Sequence, residues 1–224
     1  MKEIIGQKSS YDPVSKRLMR LYETLFLFFG PQHWWPGETA FEVMVGAVLT
    51  QNTNWKNVER AIANLKERGL LDPIRLNKLD QKELAELIRP AGYYNIKAKR
   101  LKNLLSTVNE KFEGDLNQIF SLDTESLRQV LLSVKGIGKE TADSIILYAA
   151  KKPIFVVDSY TYRVLSRHNI IPEESTYEDI QELFHTHLER DERLYNEYHA
   201  LIVKLCKTYC LKEPKCRDCP IKDL

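Results

Sequence analysis

Apolar positions recur at three-and-four spacing almost from one end of the chain to the other, separated by short polar runs. After Asp12 and Pro13, a helix cap and a first-turn proline, Leu18, Leu21, Leu25 and Phe28 share one face of a predicted helix that stops at Gly30. TAFEVMVGAVLT reads as a buried apolar segment. NWKNVERAIANLKERG has a single apolar face and ends at a glycine, and DQKELAELIR opens on an aspartate cap and stops before Pro90. Further helices are predicted in IKAKRLKNLLSTVNEKF, DTESLRQVLLSV, KETADSIILYAA, SYTYRVLSRH, TYEDIQELFHTHLER and ERLYNEYHALIVKLCKTYC. Only PIFVV has strand composition, and it has no second strand to pair with. The expected class is therefore all-α. No internal repeat or long linker interrupts the pattern, so a domain boundary is expected inside compact structure, near Lys151-Lys152-Pro153.

Composition narrows this picture without naming a partner. A chain of 224 residues is long enough for one large globular unit or two small domains. The formal charge of +2 is a near-cancellation of 33 basic and 31 acidic residues, so a face that binds a polyanion has to come from local clustering. The opening MKEIIGQKSSYDPVSKR lacks the pattern of a secretory signal, and no run approaches the roughly 20 apolar residues of a membrane span. A soluble, cytoplasmic protein with no membrane partner is the expectation.

The stretch KGIGKETADSIILYAAKKPIFVVDSY concentrates the candidate chemistry. It reads as a turn needing glycine conformations at Gly136 and Gly138, a helix whose first amides face outward, and a carboxylate, Asp158, after a short apolar run. Outward amides at a positive helix end suit a phosphate, and they equally suit a tight turn between packed helices. Lys97, Lys99, Arg100 and Lys102 in NIKAKRLK supply cations for DNA, or a solvated face. Asp158 precedes SYTYRV, where a carboxylate can serve catalysis or simply cap the helix.

Taken together, VKGIGKETADSIILYAAKKPIFVVDSYTYRV, with VLTQNT and RPAGYYNIKAKRL upstream and HALIVKLCKTYC downstream, resembles the helix-hairpin-helix DNA glycosylases of the endonuclease III type. The likeness covers nearly the whole chain. It implies a six-helix domain over residues 32–152 and a second helical domain built from residues 1–31 and 153–224, with duplex DNA gripped between them. It implies that Asp158 is the catalytic carboxylate and that Gly136, Gly138, Lys139 and Lys97 contact DNA. Gln51 and Tyr93 match the residues that fill the hole left by a flipped base. Endonuclease III also cuts the backbone through a lysine in a K-T-A pattern. Here the matching residues are Glu140-Thr141-Ala142, and a glutamate cannot form the imine, so a monofunctional glycosylase is expected. Lys139 lies one residue away and points about 100 degrees aside.

The base removed is read from the pocket. Adenine-removing members carry a glutamate where this chain has Ala47, and they carry an extra domain, so that specificity is disfavoured. HWWPGETAFEVMVGAVLTQNTNW, with Trp34, Trp35, Pro36 and Trp55, resembles the bacterial 3-methyladenine glycosylases of this type, where such residues line the base pocket. A cationic alkylated purine stacks well between indoles and leaves readily. An interdomain hydrophobic plug is the plainer reading of paired tryptophans. Oxidised or mismatched pyrimidines are the runner-up substrates, and a non-catalytic lesion-binding protein is the reading from another class.

All four cysteines, Cys206, Cys210, Cys216 and Cys219, lie within fifteen residues near the end of the sequence, which argues for a metal centre over disulfides. Family members carry a four-iron, four-sulfur cluster on C-x6-C-x2-C-x5-C. Cys210, Cys216 and Cys219 match the first three ligands with one residue fewer in the first gap, and the fourth place falls one residue past Leu224. Cys206, a helical turn before Cys210, is the candidate replacement, and four-thiolate zinc is the other metal reading. The five histidines are expected to be structural or superficial, and the protein to be a monomer.

Overall fold

The computed structural model describes residues 12–224 as helices joined by short turns, with no strand among them. The chain divides into two compact units, one from Trp35 to Lys152 and the other made from both chain ends, up to Trp34 and from Pro153 onward. The first boundary thus falls between two tryptophans rather than at residue 32.

The unit from Trp35 to Lys152 contains α2 (Ala40–Leu49), α3 (Trp55–Glu67), α4 (Pro73–Lys78), α5 (Gln81–Leu87), α6 (Tyr94–Phe112), α7 (Leu116–Ser121), α8 (Thr124–Leu132) and α9 (Lys139–Ser144). Every residue from Phe41 to Leu49 is buried, which is why its sequence shows no polar face. A helix apolar on all sides has to be surrounded. Its one charge, Glu42, is neutralised by Lys66 at 3.0 Å and accepts from the Glu38 amide at 3.1 Å. Helices α4 and α5 pack on α6, while α2 packs on Ile145–Ala149, where α9 widens into a π-helical turn. Arg128 on α8 grips the fully buried Asp143 on α9 with two bonds, Nε to Oδ1 at 2.7 Å and Nη2 to Oδ2 at 3.2 Å.

The other unit contains α1 (Pro13–Phe29), α10 (Ser159–Arg167), α11 (Tyr177–His187) and α12 (Glu192–Thr208). Helices α1 and α10 both pack on α12. Leu18, Leu21 and Leu25 are fully buried, as their spacing predicts, but Phe28 is 53% exposed. It lies in the last turn of α1, edge-on to Phe29 and Tyr209, at centroid distances of 4.9 and 6.0 Å.

The strand-like PIFVV stretch is extended, and side chains replace the missing partner strand. The Phe155 amide donates to His185 Nε2 at 3.0 Å, and the Phe155 carbonyl accepts from Gln181 Nε2 at 2.7 Å. The Phe155 ring stacks on Phe184, 3.5 Å between centroids and 5° between planes. Helix α11 therefore satisfies the backbone of this buried segment and sets where it ends, at Asp158.

Arg128→Met would leave the Asp143 carboxylate buried without its guanidinium. Unfolding in urea is expected to show a loss of about 3 kcal/mol, the cost of breaking a buried pair from one side.

Candidate active site

Asp158 sits at the N-cap of α10 with extended backbone. Its Oδ1 accepts three bonds, from the Tyr160 amide at 3.0 Å, the Thr161 amide at 2.8 Å and the Thr161 hydroxyl at 3.0 Å. Its Oδ2 lies 3.5 Å from His199 Nε2 on α12. Burial pushes the Asp158 carboxyl up, but the His199 ring and the Thr161 donors outweigh it and hold the group below the usual aspartate range. The carboxylate is thus the helix cap and is also kept ionised. Capping and catalysis, rival readings of the sequence, use different oxygens.

His199 is the site residue that sequence reasoning missed. It stands 41 positions after Asp158, at the head of the HALIVKLCKTYC segment, and only the packing of α10 on α12 brings the two together.

Ten of the twelve α-helices among the described residues begin on a side-chain oxygen that accepts from the first turn. The two without such a cap are α6, which starts after Tyr93, and α9, which starts after Gly138. Both follow turns expected to meet DNA; the third such turn, carrying Gln51, leads into α3, which Asn54 caps. The glycine reading of the hairpin needs a correction. Gly136 has φ +100°, and a Cβ there would come within 2.4 Å of Arg100 Cγ, so glycine is required. Gly138 has ordinary extended backbone at φ −94°, and a Cβ there would meet nothing within 4 Å. Its conformation does not demand glycine, and a side chain there would meet no neighbour. Lys139 and Glu140 are both exposed on the first turn of that helix.

Tyr93 is 69% exposed and held in the left-handed region at φ +45°. Gln51 is held instead of projecting. Its Nε2 donates to Thr141 Oγ1 at 2.9 Å and to the Gly136 carbonyl at 3.3 Å, while its Oε1 accepts from Arg100. Lys97 departs from the expected DNA contact. It is 1% exposed, and its ammonium donates to the carbonyls of Leu49 at 2.8 Å and Ala91 at 2.7 Å. The basic run NIKAKRLK turns Lys97 inward because helical periodicity places it beside the buried Ala98 and Leu101 face. There it ties the end of α2 to the turn before Tyr93.

Of the tryptophans, Trp35 stands edge-on to Trp55, with centroids 5.2 Å apart and planes at 87°. It also packs at 5.2 Å against Tyr148 in the π-helical turn. Gly46 makes room for the Trp35 indole, since a Cβ there would come within 3.3 Å of it. Tyr148 was not singled out in the sequence, where it reads as one more apolar helix position. Pro36 is exposed; Trp34 is partly buried and belongs to the other unit. Ala47 is buried in α2, so no acid stands at that position.

Cys210, Cys216 and Cys219 face one cavity of about 220 Å³, together with Arg167 and Tyr209. Arg167 donates to Cys210 Sγ at 3.2 Å. The Cys206 thiol and that guanidinium draw the Cys210 thiol down to about 6, against the effect of burial. Cys206 does not line the cavity, and its thiol donates to the Tyr160 carbonyl at 3.7 Å. Among the described residues no three His, Cys, Asp or Glu side chains stand close enough to hold a metal ion. The four-thiolate set expected from the sequence is therefore not assembled in this arrangement. Cys206 lies outside the cavity, against both the Tyr160 carbonyl and the Cys210 sulfur.

Residues 45–190 match the HhH-GPD superfamily of base excision DNA repair proteins. The chain belongs to this superfamily. It is 50% identical over 208 residues to a Methanocaldococcus jannaschii protein provisionally named DNA repair glycosylase MJ1434, covering 92% of this chain and 94% of that one. Endonuclease III of Sulfolobus acidocaldarius is 32% identical over 184 residues, covering 82% and 80%. The crystal structure of H. pylori 3-methyladenine DNA glycosylase (MagIII) bound to 1,N6-ethenoadenine aligns with a TM-score of 0.74 at 32% identity, covering 87% of this chain and 97% of that one. The described residues of this HhH-GPD chain are all-α. No helix among the described residues is long and apolar enough to cross a membrane.

Lys97→Met would leave two buried carbonyls unpaired, and a loss of about 1–3 kcal/mol is expected in denaturant unfolding. Burial first, and then Arg100, bring the Lys97 ammonium from 10.5 to about 8. Between those values the unfolded chain holds a proton that the folded chain has released. The wild type should therefore gain stability relative to Lys97→Met as pH rises through that window, and parallel pH curves would contradict the assignment.

Proposed function

We propose that this HhH-GPD protein is a monofunctional DNA glycosylase that releases alkylated purines such as 3-methyladenine from duplex DNA. The observation that carries the reading is the buried, ionised Asp158 carboxylate, together with a glutamate at position 140, where the lyase members of the family hold an amine. When the bond from C1′ to the base nitrogen breaks, its electron pair leaves with the base and positive charge grows on the sugar. A fixed carboxylate stabilises that charge and takes a proton from the water whose oxygen bonds to C1′. A cationic alkylated purine departs as a neutral base, so no strong acid is needed, in keeping with the apolar Ala47. Glu140 cannot attack C1′ to form an imine, so the product is an abasic site.

Trp35, Trp55 and Tyr148 support the choice of substrate, as does the likeness to the H. pylori enzyme. A flat base stacked between two indoles needs them about 7 Å apart, two van der Waals separations. The edge-on Trp35 and Trp55 pair is tighter than this, so an indole has to turn aside on binding. Duplex DNA is the partner. Gly136, Gly138 and Lys139 at the uncapped start of α9 suit a phosphate, and the protruding Tyr93 suits the gap beside a flipped base. Gln51 would have to leave Thr141 to enter the same gap.

The test is base release from methylated duplex DNA, with strands developed with and without hot alkali. The expected result is release of 3-methyladenine, breaks only after alkali, and a rate at least about a hundredfold lower in Asp158→Asn with DNA binding kept. Breaks without alkali would overturn the monofunctional assignment, and release confined to oxidised or mismatched pyrimidines would overturn the substrate.

The cysteine reading that goes with this function rests on Cys210, Cys216 and Cys219, with a cluster or zinc ion as the group they would hold. Such a group needs a fourth ligand, and Cys206 supplies it only by leaving the Tyr160 carbonyl. Iron, zinc and sulfide analysis of protein purified without oxygen decides the point. Metal lost in Cys216→Ser and kept in Cys206→Ser is expected; equal loss in both would restore Cys206 to the set.

A further inference from the structure

The Asp158 carboxylate is divided between two tasks. Oδ1 is saturated by the three donors that start α10, which leaves Oδ2 as the oxygen able to act on a sugar or a water. The group that meets Oδ2 is His199, buried within its unit and carrying a ring nitrogen 3.5 Å away.

We propose that His199 is a positioning residue for base release, holding Asp158 Oδ2 in place opposite the oxygen that α10 already holds. This deepens the glycosylase reading and rests on it. Two fixed ends leave the carboxylate plane little freedom to rotate, so Oδ2 presents one lone-pair direction to the reacting sugar. A buried imidazole beside a carboxylate also offers the countercharge that keeps a desolvated aspartate ionised.

The neighbouring groups do not duplicate this contact. His199 and Cys206 are seven residues apart on α12 and share the face turned to the start of α10. The Cys206 thiol is directed to the Tyr160 carbonyl. Arg163, the nearest cation on α10 itself, donates to the Cys210 carbonyl at 3.2 Å. Of the groups around Asp158 on α10 and α12, Cys206 and Arg163 bond elsewhere, and His199 stands 3.5 Å from Oδ2.

The experiment compares the full chain with His199→Gln and His199→Phe; the second keeps a flat ring of similar volume and removes the nitrogen. Two readouts are taken, the titration of the Asp158 carboxyl followed by carbon NMR, and the pH profile of single-turnover base release. Thermal unfolding checks that each variant is folded. Both variants should move the Asp158 titration and the acidic limb of the rate profile upward by about one unit or more, a tenfold loss of rate at the acid end. A rate lowered by the same factor at every pH in both variants, with the Asp158 titration unmoved, would overturn the proposal. So would a His199→Phe protein that behaves as wild type, since packing alone would then explain the residue. The NMR readout needs no turnover: a wild type that releases no base while Asp158 still responds to His199 sinks the glycosylase reading and leaves the contact standing.

Discussion

The first amides of a helix must find acceptors, and this constraint organises the whole chain. With helices as the sole regular element among the described residues, nearly every turn ends at a helix start, and the sequence answers with Asp, Asn or Thr at ten of twelve starts. The exceptions are informative because they cost stability locally. At Tyr93 and Gly138 the amides are left without a side-chain cap, and Tyr93 also occupies a left-handed conformation that a non-glycine residue adopts with strain. At these two starts the first amides rely on something other than a side-chain cap.

Asp158 shows how the same constraint serves chemistry. A cap fixes one carboxylate oxygen by three hydrogen bonds, and the bonds favour the ionised form. The second oxygen remains for other work. The cap fixes one oxygen and favours ionisation, and His199 beside the other oxygen adds to both. The approach to Asp158 is equally economical: the extended 153–157 segment has no strand beside it, so Gln181 and His185 of α11 hold its backbone and deliver the aspartate at a defined point.

In the unit from Trp35 to Lys152, α6 acts as a hub. Lys97 joins the end of α2 to the turn before Tyr93, and one helical turn later Arg100 holds Gln51 and lies against Gly136. Three loops separated in sequence by dozens of residues are held by two side chains three positions apart. A change at any one of these contacts should be felt in the other loops, since buried polar networks are satisfied as a set.

Helix periodicity, the caps, the glycine turn and the aspartate after it were legible along the chain because each depends on residues within a few positions of one another. The all-α class, the approximate helix limits and the place of Asp158 belong to that local information. So does the glutamate at 140, which excludes an amine by its identity alone. What the sequence could not express were the pairings across distance and the direction of each side chain. Lys97 looked like a surface cation in a basic run, and packing on the apolar face of α6 turned it inward. Gly138 looked like a conformational necessity, and the backbone there proved ordinary. Cys206 reads as a candidate fourth thiolate, and packing sets its thiol against the Tyr160 carbonyl and the Cys210 sulfur. His199 sat inside a recognisable segment, but its pairing with Asp158 had no signal until α12 met α10. Local spacing determines which elements form and how they begin and end; burial and partner choice are decided only when those elements pack, because the energy of a polar group depends on what lies opposite it.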